Sequence, residues 1–186
     1  MNEKAIVKRM KAAAKAAGCK IWRNEHDVLV LCGGGWCFVC EWGSCPPAVL
    51  GCLAEWLHGL PRPSSGYWYK GYPDPEPLDC QPPELADLLG RRGEDLILSP
   101  LRTETLQLAQ TRTGQMYWFS TDLTAMLGTL AATGGGILLP AKDSTQMPWG
   151  RWGREGRLLF LETENCVAPA TTSKLEALDC WEEDRL

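Results

Sequence analysis

The chain has 186 residues, 45% of them hydrophobic and 23% charged, and a formal net charge of −4. That length suits one compact domain or two small ones sharing an interface, and the composition excludes wholesale disorder. Lysines interrupt the first ten residues, so no secretory leader is expected there, and the longest uncharged apolar-leaning run, 28–40, is too short and too rich in glycine to cross a bilayer.

The charge is unevenly spread. Residues 1–23 carry Lys4, Lys8, Arg9, Lys11, Lys15, Lys20 and Arg23 against Glu3 alone, so the remainder is strongly acidic. A basic end and an acidic body attract each other within one molecule or between two copies. There are nine cysteines. An odd count without a secretion signal points to reduced thiols and a cytoplasmic protein.

In chain order, an amphipathic helix is expected over 3–17. Asn2 caps it, Gly18 ends it, and Ile6, Met10, Ala13 and Ala17 form its apolar stripe. Strands follow at 19–23, 28–32 and 36–41, joined by turns at 24–27 and at the glycine triplet 33–35. Pro46 and Pro47 open a second helix that runs to Leu57. Residues 61–83 hold seven prolines among Tyr67, Trp68, Tyr69 and Tyr72, which reads as an extended crossover packed on the body by its aromatics.

The second half begins with a short helix at 83–89. Strands are expected at 95–98, 103–109 and 115–120, then a helix at 122–131, then strands at 137–139 and 157–162. The last residues read as an acidic tail with a short helix near 174–181. Shifting the sequence by 77 aligns 28–54 with 105–131 without a gap, pairing Leu29 with Leu106, Gly51 with Gly128 and Leu53 with Leu130. Both segments read hairpin then helix. Duplication and chance are the two readings of that match.

The expected fold is therefore α+β, with two ββα units, a leading amphipathic helix and a Pro-rich crossover. The expected divisions are an N-terminal α-βββ-α unit over 1–60, the crossover over 61–83, a second β-rich unit over 84–165 and the tail over 166–186.

Several stretches carry candidate chemistry. Cys37 and Cys40 have the CxxC spacing of a zinc-binding pair, but strand periodicity places i and i+3 on opposite faces, so they are weak metal candidates. Cys45 precedes a helix, which makes it the one cysteine whose thiolate a helix dipole would favour as a nucleophile. Residues 149–157 repeat arginine and glycine every third position with Trp149 and Trp152 interleaved, a pattern suited to phosphate contacts and base stacking. The same stretch also reads as a surface hairpin or loop anchored by its tryptophans. Neither glycine triplet is followed by the Lys-Ser or Lys-Thr of a phosphate loop, and the sequence has no GxSxG or HExxH.

Nine tryptophans in a chain of this size exceed what a core of ordinary aliphatic packing needs. Exposed aromatics beside arginines are typical interface anchors. The expected function is thus non-enzymatic: a small binding or adaptor protein acting on a protein partner, with an inhibitor or a mobile-element (phage) accessory factor as its finer form. The expected contact residues are Tyr67, Trp68, Tyr69, Tyr72, Trp149 and Trp152. The alternative is a nucleic-acid-associated protein using Lys4, Lys8, Lys11, Lys15, Arg151, Arg154 and Arg157, or a binder of nucleotide-type small molecules. No cofactor and no membrane contact are expected.

Overall fold

The computed structural model describes residues 1–164, apart from positions 72, 73, 134 and 144. The acidic tail, with Cys166, Cys180 and Trp181, and Tyr72 of the crossover lie outside the described residues.

The fold is mixed and dominated by one large antiparallel sheet. Helix α1 (Glu3–Lys15) begins where the Asn2 side chain accepts a hydrogen bond from the Ala5 amide. It ends at Gly18, whose φ of 97° is left-handed. Strands β1 (Cys19–Arg23), β2 (Val28–Gly33) and β3 (Trp36–Glu41) form a meander, with Gly34 and Gly35 closing the β2–β3 hairpin. A single 3-10 turn then leads to α2 (Pro47–Leu57).

The crossover is more regular than its composition suggests. It contains β4 (Ser65–Tyr69), paired with β1, and β5 (Glu76–Leu78), paired with β4. Pro77 lies within β5, a terminal strand of the sheet, where a missing amide costs no ladder bond. Helix α3 (Pro83–Gly90) follows, then β6 (Glu94–Arg102), β7 (Leu106–Thr111) and β8 (Met116–Ser120). The β6–β7 register slips between Leu98 and Arg102, around Pro100, which has no amide to give.

The helix expected over 122–131 is broken. Only α4 (Thr121–Thr124) and α5 (Leu130–Thr133) are helical. Gly128 between them is left-handed at φ 59°, and a Cβ there would meet the backbone of Met1 and Asn2 within about 3.2 Å. The Asn2 amide also donates to the Met126 carbonyl at 2.9 Å. The start of the chain thus sits where a continuous helix would pass. Strands β9 (Gly136–Leu139), β10 (Trp149–Arg154) and β11 (Arg157–Glu162) complete the sheet.

The eleven strands lie in the order β5-β4-β1-β2-β3-β11-β10-β9-β6-β7-β8. Strands from 1–60, 61–83 and 84–164 therefore share one sheet. The two expected ββα units appear in chain order, but the match does not extend to their helices. One carries an intact helix of 11 residues and the other a broken pair. The duplication is not confirmed.

One face of the sheet, the inner face, carries the main core. Ile21, Leu29, Leu31, Trp36, Phe38, Leu159 and Leu161 point into it and are fully buried beneath α1, α2 and α4. The far half of the sheet curls over the same core. Phe119 on β8 meets Trp152 on β10 edge to face, with ring centroids 5.4 Å apart. Four strand spacings of roughly 4.8 Å would hold those strands about 19 Å apart in a flat sheet. The Trp152 ring lies across Gly150 and Gly136, where added Cβ atoms would come within 2.3 and 2.6 Å of it. After β11 the Glu164 amide donates to the Trp118 carbonyl of β8 at 2.8 Å, which covers that end of the curl.

The outer face is only partly covered. A smaller cluster of Val30, Cys32, Cys37, Val39, Leu139 and Phe160 packs beneath Leu85 and Leu88 of α3. Asp87 forms ion pairs with Arg91, just after that helix, and with Lys142, in the connection that follows β9, and Arg91 also donates to the Pro140 carbonyl of that connection at 2.9 Å. These two cations, Lys142 first, hold the Asp87 carboxyl below the usual carboxylate range.

Candidate binding cleft

The register of six strands aligns a row of side chains across the outer face. Trp68 on β4 pairs with Lys20 on β1, Lys20 with Cys32 on β2, and Cys32 with Cys37 on β3. The row continues through Phe160 on β11 to Arg151 on β10. Two residues along β10 stands Trp149. Where this row leaves the cover of α3, a cleft of about 270 Å³ opens. Its sides include Trp68 and Trp149, its floor includes Lys20, Cys32 and Cys37, and Gly33, Gly34 and Gly35 close one end. That volume lies just below the range of about 300 to 1,000 Å³ typical of ligand sites, so it suits one side chain or one small ring.

Trp68 is held firmly. Its indole N–H donates to the Ala17 carbonyl at 3.2 Å. The Lys70 ammonium sits 3.7 Å from the ring centroid, and that ammonium is itself bridged to Glu76 at 3.2 Å. The ring also presses on Gly18, where a Cβ would fall 2.0 Å from the indole nitrogen. A side chain fixed before binding loses little conformational freedom on binding. Trp149 is half-buried, with its apolar body on the outer-face cluster.

The structure separates the other expected contact residues from this cleft. Residues 149–154 form a strand rather than a loop, so alternate side chains face opposite ways. Trp149 and Arg151 share the outer face, while Trp152 is 1% exposed in the main core. Trp149 and Trp152 therefore cannot act on one ligand. Tyr67 and Tyr69 also face inward, and Tyr69 stacks on Trp56 at 4.4 Å. Of the six expected contacts, Trp68 and Trp149 meet at the cleft.

The basic candidates are likewise dispersed. Lys8 and Arg9 both reach Asp122, at 3.2 and 3.5 Å. Arg154 pairs with Glu155, and Arg157 donates to the Ser44 carbonyl. Lys4, Lys11 and Lys15 are exposed on α1, which covers the inner face, and the sheet stands between them and Arg151.

The cysteines resolve by face. Cys37 lies in the outer cluster and Cys40 in the main core, so the CxxC pair cannot close on one ion. Among the described residues no group of three or more His, Cys, Asp or Glu side chains is placed to hold a metal. Cys45 is buried beside Cys40. The hydrogen bond between them, then burial, raises the Cys40 thiol far above its ordinary value. His26 and His58 are exposed and lie beside Glu25 and Asp74, not beside Cys45. No described helix is long and apolar enough to cross a membrane.

No family model matches the chain, and no curated protein matches it in sequence. Among solved structures it is similar to the DNA polymerase III subunit beta from Borrelia burgdorferi, in complex with a natural product. The identity is 8% over 88% of this chain and 62% of that one, with a TM-score of 0.40. It is also similar to the DNA polymerase sliding clamp from Bacillus subtilis, with 10% identity over 93% of this chain and 66% of that one and a TM-score of 0.39. The chain spans under two thirds of the length of either clamp. At those scores the likeness carries no argument about function.

Proposed function

We propose that the chain is a non-enzymatic binding protein, and that it takes one aromatic or aliphatic side chain of a protein partner into the cleft between Trp68 and Trp149. The observation that carries this reading is the pair of tryptophans flanking one small cleft, one of them locked in place before any partner arrives. Tryptophans in such positions dominate the energetics of protein interfaces. An adaptor or inhibitor in the cytoplasm is the finer form of the reading. The dispersal of the basic side chains favours it over a nucleic-acid surface, which needs them side by side.

The test is comparative capture. Immobilised wild-type chain and its Trp149→Ala variant are exposed to the same lysate, and bound proteins are quantified by mass spectrometry. A partner held through the cleft drops at least tenfold in the variant and remains at wild-type level in an Arg62→Ala control on the exposed surface. Identical captured sets from wild type and Trp149→Ala overturn the reading.

A further inference from the structure

Cys32 on β2 and Cys37 on β3 are partners in register, and both line the cleft between Trp68 and Trp149. Their position in the ladder decides how closely they approach. Directly opposed residues of an antiparallel pair alternate between hydrogen-bonded and open positions. Asp27 and Trp42 stand one step beyond the Val28–Glu41 pair, and the Trp42 amide donates to the Asp27 carbonyl at 2.7 Å. Along the register from there, Leu29–Cys40, Leu31–Phe38 and Gly33–Trp36 are hydrogen-bonded pairs, and Cys32–Cys37 is an open one. The flanking strands agree. The Asn24 amide donates to the Val28 carbonyl, which turns the even-numbered residues of β2 toward β1. The Glu41 amide donates to the Gly156 carbonyl, which turns the odd-numbered residues of β3 toward β11.

An open pair holds its Cα atoms about 4.5 Å apart, inside the range of roughly 4.4 to 6.8 Å that a disulfide spans. Both side chains belong to the outer-face cluster, so they leave the sheet in the same direction. A disulfide is therefore within reach of the two thiols as the strands stand. The surroundings set this pair apart from Cys19, Cys40, Cys45 and Cys52, which lie in the main core. Burial raises the Cys19 thiol above its ordinary value, as the bond to Cys45 and burial raise Cys40, so both keep their protons at neutral pH. Cys80 is exposed and stands outside the cleft. Cys32 and Cys37 combine a facing thiol with the wall of an open cleft.

We propose that Cys32 and Cys37 are a redox-active dithiol that exchanges with a low-molecular-weight disulfide entering the cleft. Cys32, 4% exposed against 1% for Cys37, reacts first. Its thiolate attacks one sulfur of the incoming disulfide, and the first small thiolate leaves. The Cys37 thiolate then attacks the Cys32 sulfur of that mixed disulfide and expels the second. The two thiol protons pass to the two leaving thiolates. The protein thus loses two electrons and gains one S–S bond, while the small disulfide becomes two thiols. The pair lies on the floor of the cleft assigned to a partner's side chain, but the exchange needs no partner and stands whether or not that reading holds.

The experiment uses the full chain, reduced, desalted and incubated with 2-hydroxyethyl disulfide near neutral pH. The reaction is quenched with acid, remaining thiols are alkylated in denaturant, and the chain is cut with chymotrypsin. Cleavage after Trp36 and Phe38 separates the two cysteines. The expected product joins residues 32–36 to residues 37–38 by a disulfide, at least tenfold more abundant than any other link among the nine cysteines and reversed by 2-mercaptoethanol. In urea that preference should collapse, because the register that creates it is gone. Cys37→Ala should stop at the mixed disulfide on Cys32, and Cys32→Ala should leave Cys37 a thiol. The wild-type map decides the matter if either variant fails to fold. Recovery of Cys32 and Cys37 both alkylated overturns the proposal. So does dominance of another link, a preference unchanged in urea, or a folded Cys37→Ala variant that carries no mixed disulfide on Cys32.

Discussion

The two faces of the sheet are built from the same strands and end differently. On β2, Leu29 and Leu31 face inward at 0% exposure, while Val28 on the outer face is half-buried. On β10, Trp152 faces inward and is sealed, while Trp149 and Arg151 face outward and are not. The inner face is roofed by three helices and by the curl of its own far half. The outer face has one helix of eight residues, anchored by Leu85, Leu88 and the Asp87 ion pairs. Where that cover stops, large side chains stand with one side dry and one side wet. Candidate contact residues collect at this boundary, because their packing partners run out there.

Substitutions can test how unequal the faces are. The largest effect is expected for Phe38→Ala on the inner face, a loss of about 3–5 kcal/mol by urea unfolding, against about 1–2 kcal/mol for Val39→Ala on the outer face of the same strand. Equal losses would erase the distinction. Leu85→Ala should cost about 2–3 kcal/mol. Its signature is local, with amide exchange quickening across 83–90 while β2 and β3 keep their protection. Trp149→Ala should change stability by less than about 1 kcal/mol, since the ring is already half wet, and show itself in binding alone.

The smallest effect concerns the tether of α3. The Asp87 carboxyl titrates below its unfolded value, so its contribution is full at neutral pH, fades progressively as pH falls from the ordinary carboxylate range, and is gone below the lowered value. Asp87→Asn should remove that pH dependence and quicken exchange in α3 at neutral pH. Unchanged exchange in the variant would mean that the apolar contacts alone hold the helix.

Much of this was legible in the residues. The bounds of β1, β3 and β11 follow from alternation and flanking turns, and Asn2 marks the start of α1. Strand β10 was hidden by its own composition. Its glycines weaken the strand signal, and Gly150 is there because the Trp152 ring crosses it. The break at Gly128 depends on the chain's first residues arriving from elsewhere, which no local window contains. Trp68 and Trp149 were readable as anchors by type. Their meeting over Lys20, Cys32 and Cys37 was not, because it depends on the register of strands far apart in sequence.

The strand order also dictates how the molecule can come together. Strand β11 is the last of the described strands and lies in the middle of the sheet, bonded to β3 on one side and β10 on the other. Until residues 157–162 arrive, β3 is an open edge carrying Trp36, Phe38 and Val39. Closing that seam joins segments more than a hundred residues apart, so folding should be slow for a chain of this size, and a chain ending before β11 should aggregate through the exposed edge rather than form a stable half.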